Sequence, residues 1–216
     1  MITIINIMVG EIIMSNNIII NREFNDILSS ELFFNLDNKA TFDQLLLNGA
    51  DVNYANKNGW NLLFEAVSLG LVEKIEQLIS LGIDLNIRDV KGRNALFWAI
   101  HYKDYPIIRK LLSLGIDTKV THSLSAMNYA VYKNDVKMIK CLKNCGLDIN
   151  EHDDVQSTPL IYAVLYNKIQ SVDYLINNGA CVVHEDLLGN SALSLAYDLK
   201  IEYLKNRFEK ILKEDK

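Results

Sequence analysis

The stretch Thr158-Pro159-Leu160-Ile161-Tyr162-Ala163 decides the fold, because it is the sharpest copy of a hexamer that the chain repeats. Degenerate copies stand at Asn61-Leu62-Leu63-Phe64-Glu65-Ala66 and Asn94-Ala95-Leu96-Phe97-Trp98-Ala99. Their closing alanines form the series Ala66, Ala99, Ala130, Ala163 and Ala196, separated by 33, 31, 33 and 33 residues. The glycines Gly49, Gly82, Gly115, Gly146 and Gly179 keep the same phase, each array glycine from Gly82 on lying 16 residues after an alanine. The two-residue deletion therefore falls between Gly115 and Ala130. The short repeat is expected to keep both helices and to lose length only in its loop. Self-similarity at such a period marks a repeat architecture.

The hexamer has a physical logic. Threonine caps free N–H groups at a helix start, and proline tolerates the first turn. A small alanine lets neighbouring helices approach closely. Leu63, Leu96, Met127, Leu160 and Leu193 stand three residues before the alanine. Ile75, Ile108, Ile139 and Val172 stand seven before the glycine, with Leu78, Leu111, Leu142 and Leu175 four before it. Spacings of three and four put apolar residues on one helical face. Each unit reads as a first helix, a tight turn, a second helix and a glycine exit into a loop.

On these residues the chain resembles the ankyrin-repeat family, whose signature is a 33-residue period with T-P-L-H-x-A. The resemblance covers roughly residues 28 to 212. It implies an all-α solenoid of helix-turn-helix units with short finger loops, about five recognisable repeats and an N-terminal cap. The repeats are placed at 49–81, 82–114, 115–145, 146–178 and 179–216, the last closing the array. The cap spans 24–48, where Phe33 replaces the alanine and Phe42, Leu45 and Leu46 supply the second-helix face.

Residues 1–23 form an apolar segment of open structure, with an edge strand, an added helix and a poorly ordered tail as alternatives. Met1–Ile20 holds thirteen Ile, Met or Val residues, but Asn6, Glu11, Asn16 and Asn17 interrupt it. A spanning helix needs about 20 predominantly apolar residues. No basic leader or small-residue cleavage site marks a secretory signal. No membrane role is expected.

Half of the 216 residues are apolar and only two are proline, which excludes disordered and collagen-like classes. The net charge of −5 opposes dependence on general phosphate contacts. Three cysteines, Cys141, Cys145 and Cys181, fit a reduced, cytoplasmic setting better than a disulfide scaffold. Cys141 and Cys145 present two sulfurs on one helical face, and without a second pair they read as packed thiols rather than a structural zinc site. No phosphate-cradling loop, nucleophile elbow or zinc-protease helix is present. The reading is a non-enzyme with no cofactor, no catalytic residue and no metal.

The family resemblance implies a concave binding surface made of fingers and first helices. Carried across, it nominates Trp60, Arg88, Lys91, Arg93, Trp98, His101, Tyr102, Tyr129, Tyr132, His152, Asp154, Tyr162 and Tyr166. Trp98, Tyr129 and Tyr162 precede the alanine in three successive repeats, and either helix packing or binding explains them. Tyr102 and Tyr166, three after it, read as anchors. The early fingers hold Lys57, Arg88, Lys91, Arg93 and Lys119 against Asp89; the last two hold Glu151, Asp153, Asp154, Glu185 and Asp186. Such a gradient orients a partner and speeds encounter, and its acidic end opposes nucleic acid. The expected function is recognition of another protein, with neutralisation of that partner in the manner of an immunity protein or antitoxin as its specific form. The alternative is a small-molecule or metal-responsive protein using the fingers that bear His122, His152 and His184.

Overall fold

The computed structural model describes residues 24–214, and the apolar segment at 1–23 lies outside them. Twelve helices occur among the described residues, and they divide into two compact units with the boundary between Val90 and Lys91. The first unit contains α1 (24–34), α2 (Lys39–Leu47), α3 (Leu62–Ser68) and α4 (Val72–Ser80). The second contains α5 (Ala95–Tyr102), α6 (Tyr105–Ser113), α7 (Ala126–Tyr132), α8 (Val136–Asn144), α9 (Pro159–Leu165), α10 (Ile169–Asn177), α11 (Ala192–Asp198) and α12 (Glu202–Glu214). Two isolated antiparallel bridges, Ala55 with Asn61 and Lys119 with Ser125, brace the necks of two fingers.

Each first helix begins where the hexamer begins. The side chains of Asn61, Asn94, Ser125, Thr158 and Ser191 accept the N–H of Phe64, Phe97, Asn128, Ile161 and Ser194. All five caps are buried, so the bond removes an otherwise costly orphan donor. The helices are short because a left-handed residue ends them. Gly70, Lys103, Asn134, Asn167 and Lys200, each four residues after the repeat alanine, have φ between 52° and 72°. That turn sends the chain back as the second helix.

Second helices end in a glycine cap. At Gly82 (φ 90°), its N–H donates to Ile79 O at 3.0 Å and Ile83 N–H to Leu78 O at 3.1 Å. This closes the helix as a Schellman motif and admits no side chain without strain.

Inside the second unit each first helix packs on its own second helix, and α5, α7, α9 and α11 touch in succession. Ala99, Ala130, Ala163 and Ala196 are fully buried in those contacts, along with Leu96, Met127, Leu160, Ile108, Ile139 and Val172. In the first unit Leu32, Leu36 and Phe42 fill the cap, with Leu63, Ala66, Ile75 and Leu78 under the next pair. The short repeat retains both helices, at 7 and 9 residues, and only its finger is cut. No helix among the described residues is long and apolar enough to cross a membrane.

Candidate protein-recognition surface

In the first unit, Trp60 is half-buried at its finger, with its ring 5.4 Å from that of Phe64 and Nε1 donating to Glu65 Oε2 at 2.8 Å. Arg88 is half-buried beside Asp89, which is itself buried. These two nominees are partly built into their own finger.

The second unit gathers most of the others. Two aromatic groups form along its first helices. One is centred on α5: the Phe97 ring stacks on Tyr129 at 4.7 Å, Trp98 stacks on Tyr102 at 5.9 Å, and His101 meets Trp98 edge-on at 5.7 Å. His101 Nδ1 lies 3.4 Å from Tyr129 Oη. The Arg93 guanidinium sits 4.2 Å over the Trp98 ring, and Lys133 Nζ lies 5.6 Å over Tyr129. The second group joins α7 and α9: Tyr132 meets Tyr166 edge-on at 5.6 Å, and Tyr162 lies 5.9 Å from Tyr166.

Exposure sorts these rings. Tyr129 is 6% exposed and Trp98 and Tyr162 are half-buried, whereas Tyr102, Tyr132 and Tyr166 are 47%, 50% and 44% exposed. The three residues preceding the alanine thus support from beneath, and the three at the helix ends reach solvent. Tyr162 is pinned by its hydroxyl, which donates to Asp153 Oδ2 at 2.6 Å. Burial, then that bond, pushes its phenol well above the ordinary range, so it stays neutral. Tyr129 is likewise raised, by burial against the opposing charge of Arg93.

The last two fingers are tied together by acidic side chains that the sequence reads as displayed charge. Asp153 and Asp186 are buried rather than displayed. Asp153 Oδ1 accepts Val155 N–H at 3.1 Å and Ser157 N–H at 2.9 Å. Asp186 Oδ1 accepts Leu188 N–H at 2.9 Å and Asn190 N–H at 2.8 Å, and its Oδ2 accepts the Ser157 hydroxyl at 2.8 Å. Burial opposes ionisation of Asp186, but those bonds hold its carboxyl below the usual value. Apolar tips result, with Val155, Leu187 and Leu188 exposed and Leu187 N–H donating to Val155 O at 2.9 Å.

The acidic end is accordingly thinner than a count of side chains suggests. Asp154 and Glu185 remain exposed, and Asp154 is already paired with Lys119 at 2.5 Å. Glu151 is largely covered, its Oε1 is buried without a hydrogen-bond partner, and burial raises its carboxyl to about 7. Lys91 and His152 are exposed. His152 stacks on His184 at 6.0 Å, and His184 Nε2 bonds Gln156 O at 2.8 Å. His122 packs against Gly92, where a Cβ would stand 2.2 Å from the imidazole. No group of three or more His, Cys, Asp or Glu able to hold a metal occurs among the described residues. Phe97 also belongs to the aromatic group centred on α5, and the sequence carries its signal: an aromatic inside the hexamer, next to Trp98 and four residues before His101.

Comparisons with known proteins agree with this geometry. A family model for ankyrin repeats (3 copies) matches residues 33–122 and again 123–206. The chain is 34% identical over 61 residues to the poly [ADP-ribose] polymerase tankyrase of Caenorhabditis elegans, covering 27% of this chain and 3% of that protein. It is 36% identical over 75 residues to the putative ankyrin repeat protein FPV031 of Fowlpox virus (strain NVSL), covering 33% and 22%. It thus spans only a small part of the length of either curated relative. In fold it matches the ankyrin repeat domain of Bcl-3, described as a unique member of the IkappaB protein family, with a TM-score of 0.67 and 24% identity over 80% of this chain and 82% of that one. With the capped helix pairs, the left-handed turns and a family model spanning most of its length, the chain belongs to the ankyrin-repeat family.

Proposed function

We propose that this protein is a non-catalytic recognition module that binds one protein partner through the finger and first-helix face of residues 91–166, and that binding neutralises the partner, in the manner of an immunity protein or antitoxin. Ankyrin repeats generally serve protein–protein interaction, and the observation that carries the reading here is the set of exposed tyrosines at successive first-helix ends. Tyr102, Tyr132 and Tyr166 are each seated on other rings, so little rotamer freedom is lost on binding. Rigid aromatic anchors of this type dominate interface energies. Trp98, Tyr129 and Tyr162 act as their support, while His101, His152, Asp154, Lys91 and Arg93 form a polar surround. Occlusion of the partner is argued from the all-repeat make-up of the described residues. Alanine replacement tests the reading: Tyr102→Ala and Tyr166→Ala each speed dissociation from the captured partner, costing about 2 kcal/mol. Unchanged dissociation in both removes the anchors from the interface.

A further inference from the structure

The recognition reading makes no use of the second helices α6 and α8, yet these carry a cluster of another chemistry. Cys141 and Cys145 lie one turn apart at the end of α8, Cys145 being its C-cap. Both are partly exposed, and the two thiols are neighbours on the same face of the helix. They open onto a cleft of about 320 Å³ whose other walls are Tyr105 and Arg109 of α6 and Lys137, Lys140 and Asn144 of α8. Three cations and no carboxylate line it.

Three kinds of thiol chemistry compete for such a pair. A disulfide needs Cβ atoms about 3.5–4.5 Å apart, whereas residues four apart on a helix hold theirs about 5–6 Å apart. Closure would unwind the last turn, whose bond from Cys145 N–H to Cys141 O is intact at 3.0 Å. Nucleophilic catalysis by a thiol needs a general base within reach, and no histidine or carboxylate lines the cleft. A divalent zinc ion wants four donors, and among the described residues no third histidine, cysteine or carboxylate joins the pair.

A metal that accepts two sulfurs and needs no more fits what is left. Soft thiolate ligands select copper(I) among the common first-row metals. We propose that Cys141 and Cys145 form a two-coordinate site for a single monovalent thiophilic cation, copper(I), on the second-helix side of the repeats. Both S–H protons leave to solvent, two sulfur–metal bonds form, and no electron changes hands. The product is a bis-thiolate of net charge −1. Arg109, Lys137 and Lys140 around the cleft stabilise that charge, whereas they would gain nothing from a neutral zinc bis-thiolate. Because two protons are released, affinity tightens as pH rises.

The test is an anaerobic competition between the full chain and a chromogenic copper(I) chelator at pH 7.5. Wild type is expected to take one equivalent per chain. Cys141→Ser and Cys145→Ser should each weaken uptake by about 100-fold or more, while Cys181→Ser stays within about twofold. Serine is near-isosteric with cysteine, and circular dichroism checks that each variant is folded. X-ray absorption on the loaded wild type gives a readout independent of any variant: two sulfur neighbours and no nitrogen or oxygen. The proposal is overturned if wild type takes no copper from the chelator, if either serine variant keeps full affinity, if one ion is shared by two chains, or if a third donor appears. None of these results touches the tyrosine face, so the recognition reading stands or falls separately.

Discussion

Ala130 shows how much one small side chain decides. It is fully buried in α7, which packs on both α5 and α9. Ala130→Leu should cost about 1–3 kcal/mol, because the added volume has nowhere to go. Lys133→Ala, three residues on and exposed, should stay within about 0.5 kcal/mol by the same thermal melt. The left-handed turn offers a contrast. Lys200 holds φ 55° where the first of these turns uses Gly70. A side chain there costs about 1–2 kcal/mol of strain, against the extra chain entropy that glycine loses. Lys200→Gly should therefore stabilise the protein slightly. Lys103→Gly should not, since Lys103 Nζ holds Asp135 at 2.7 Å and that pair would be lost. Denaturant midpoints for the two variants should move in opposite directions.

The fourth finger concentrates the element-scale behaviour. Glu151 occupies the position that Ile87 fills two repeats earlier, so a carboxyl takes an apolar berth. Its pKa of about 7 when folded exceeds the ordinary 4.5, so the folded state binds the proton more tightly. Stability from this group is complete below pH 4.5 and is lost as pH rises through about 7. Glu151→Gln should then melt higher than wild type at pH 8, by on the order of 1 kcal/mol, and match it near pH 4. Equal curves at both pH values would contradict this account of the carboxyl. The finger also shows why the sequence was legible only in part. Repeat phase, caps and glycine exits were readable, because each is a residue type that one backbone geometry demands. The destinations of Asp153 and Asp186 were not, because an acid at a finger tip reads equally as displayed charge or as a turn acceptor. The left-handed Lys103 and Lys200 carried no compositional mark either. Trp98, Tyr129 and Tyr162 read equally as packing or binding because one helix position serves both; only their exposure separates them from Tyr102, Tyr132 and Tyr166.

On the scale of the second unit, packing and the proposed recognition face use different sides of the same helices. Alanines and leucines weld α5, α7, α9 and α11 together, and the ring-supported tyrosines occupy what those contacts leave open. On the proposed face, charge would steer rather than anchor, since Asp154 is already paired and Arg93 already covers Trp98. Reversing Lys91 should slow association and change its salt dependence while leaving dissociation nearly unchanged, as rim charges do. The central claim is that residues 91–166 present a tyrosine-anchored face to one protein. Affinity capture from the native cell, run in parallel with wild type, the double variant Tyr102→Ala/Tyr166→Ala and the second-helix variant Lys137→Ala, tests it most directly. The account predicts one protein retained by wild type and by Lys137→Ala and lost from the double tyrosine variant, with all three chains equally folded. Retention of that protein by the double tyrosine variant would contradict it.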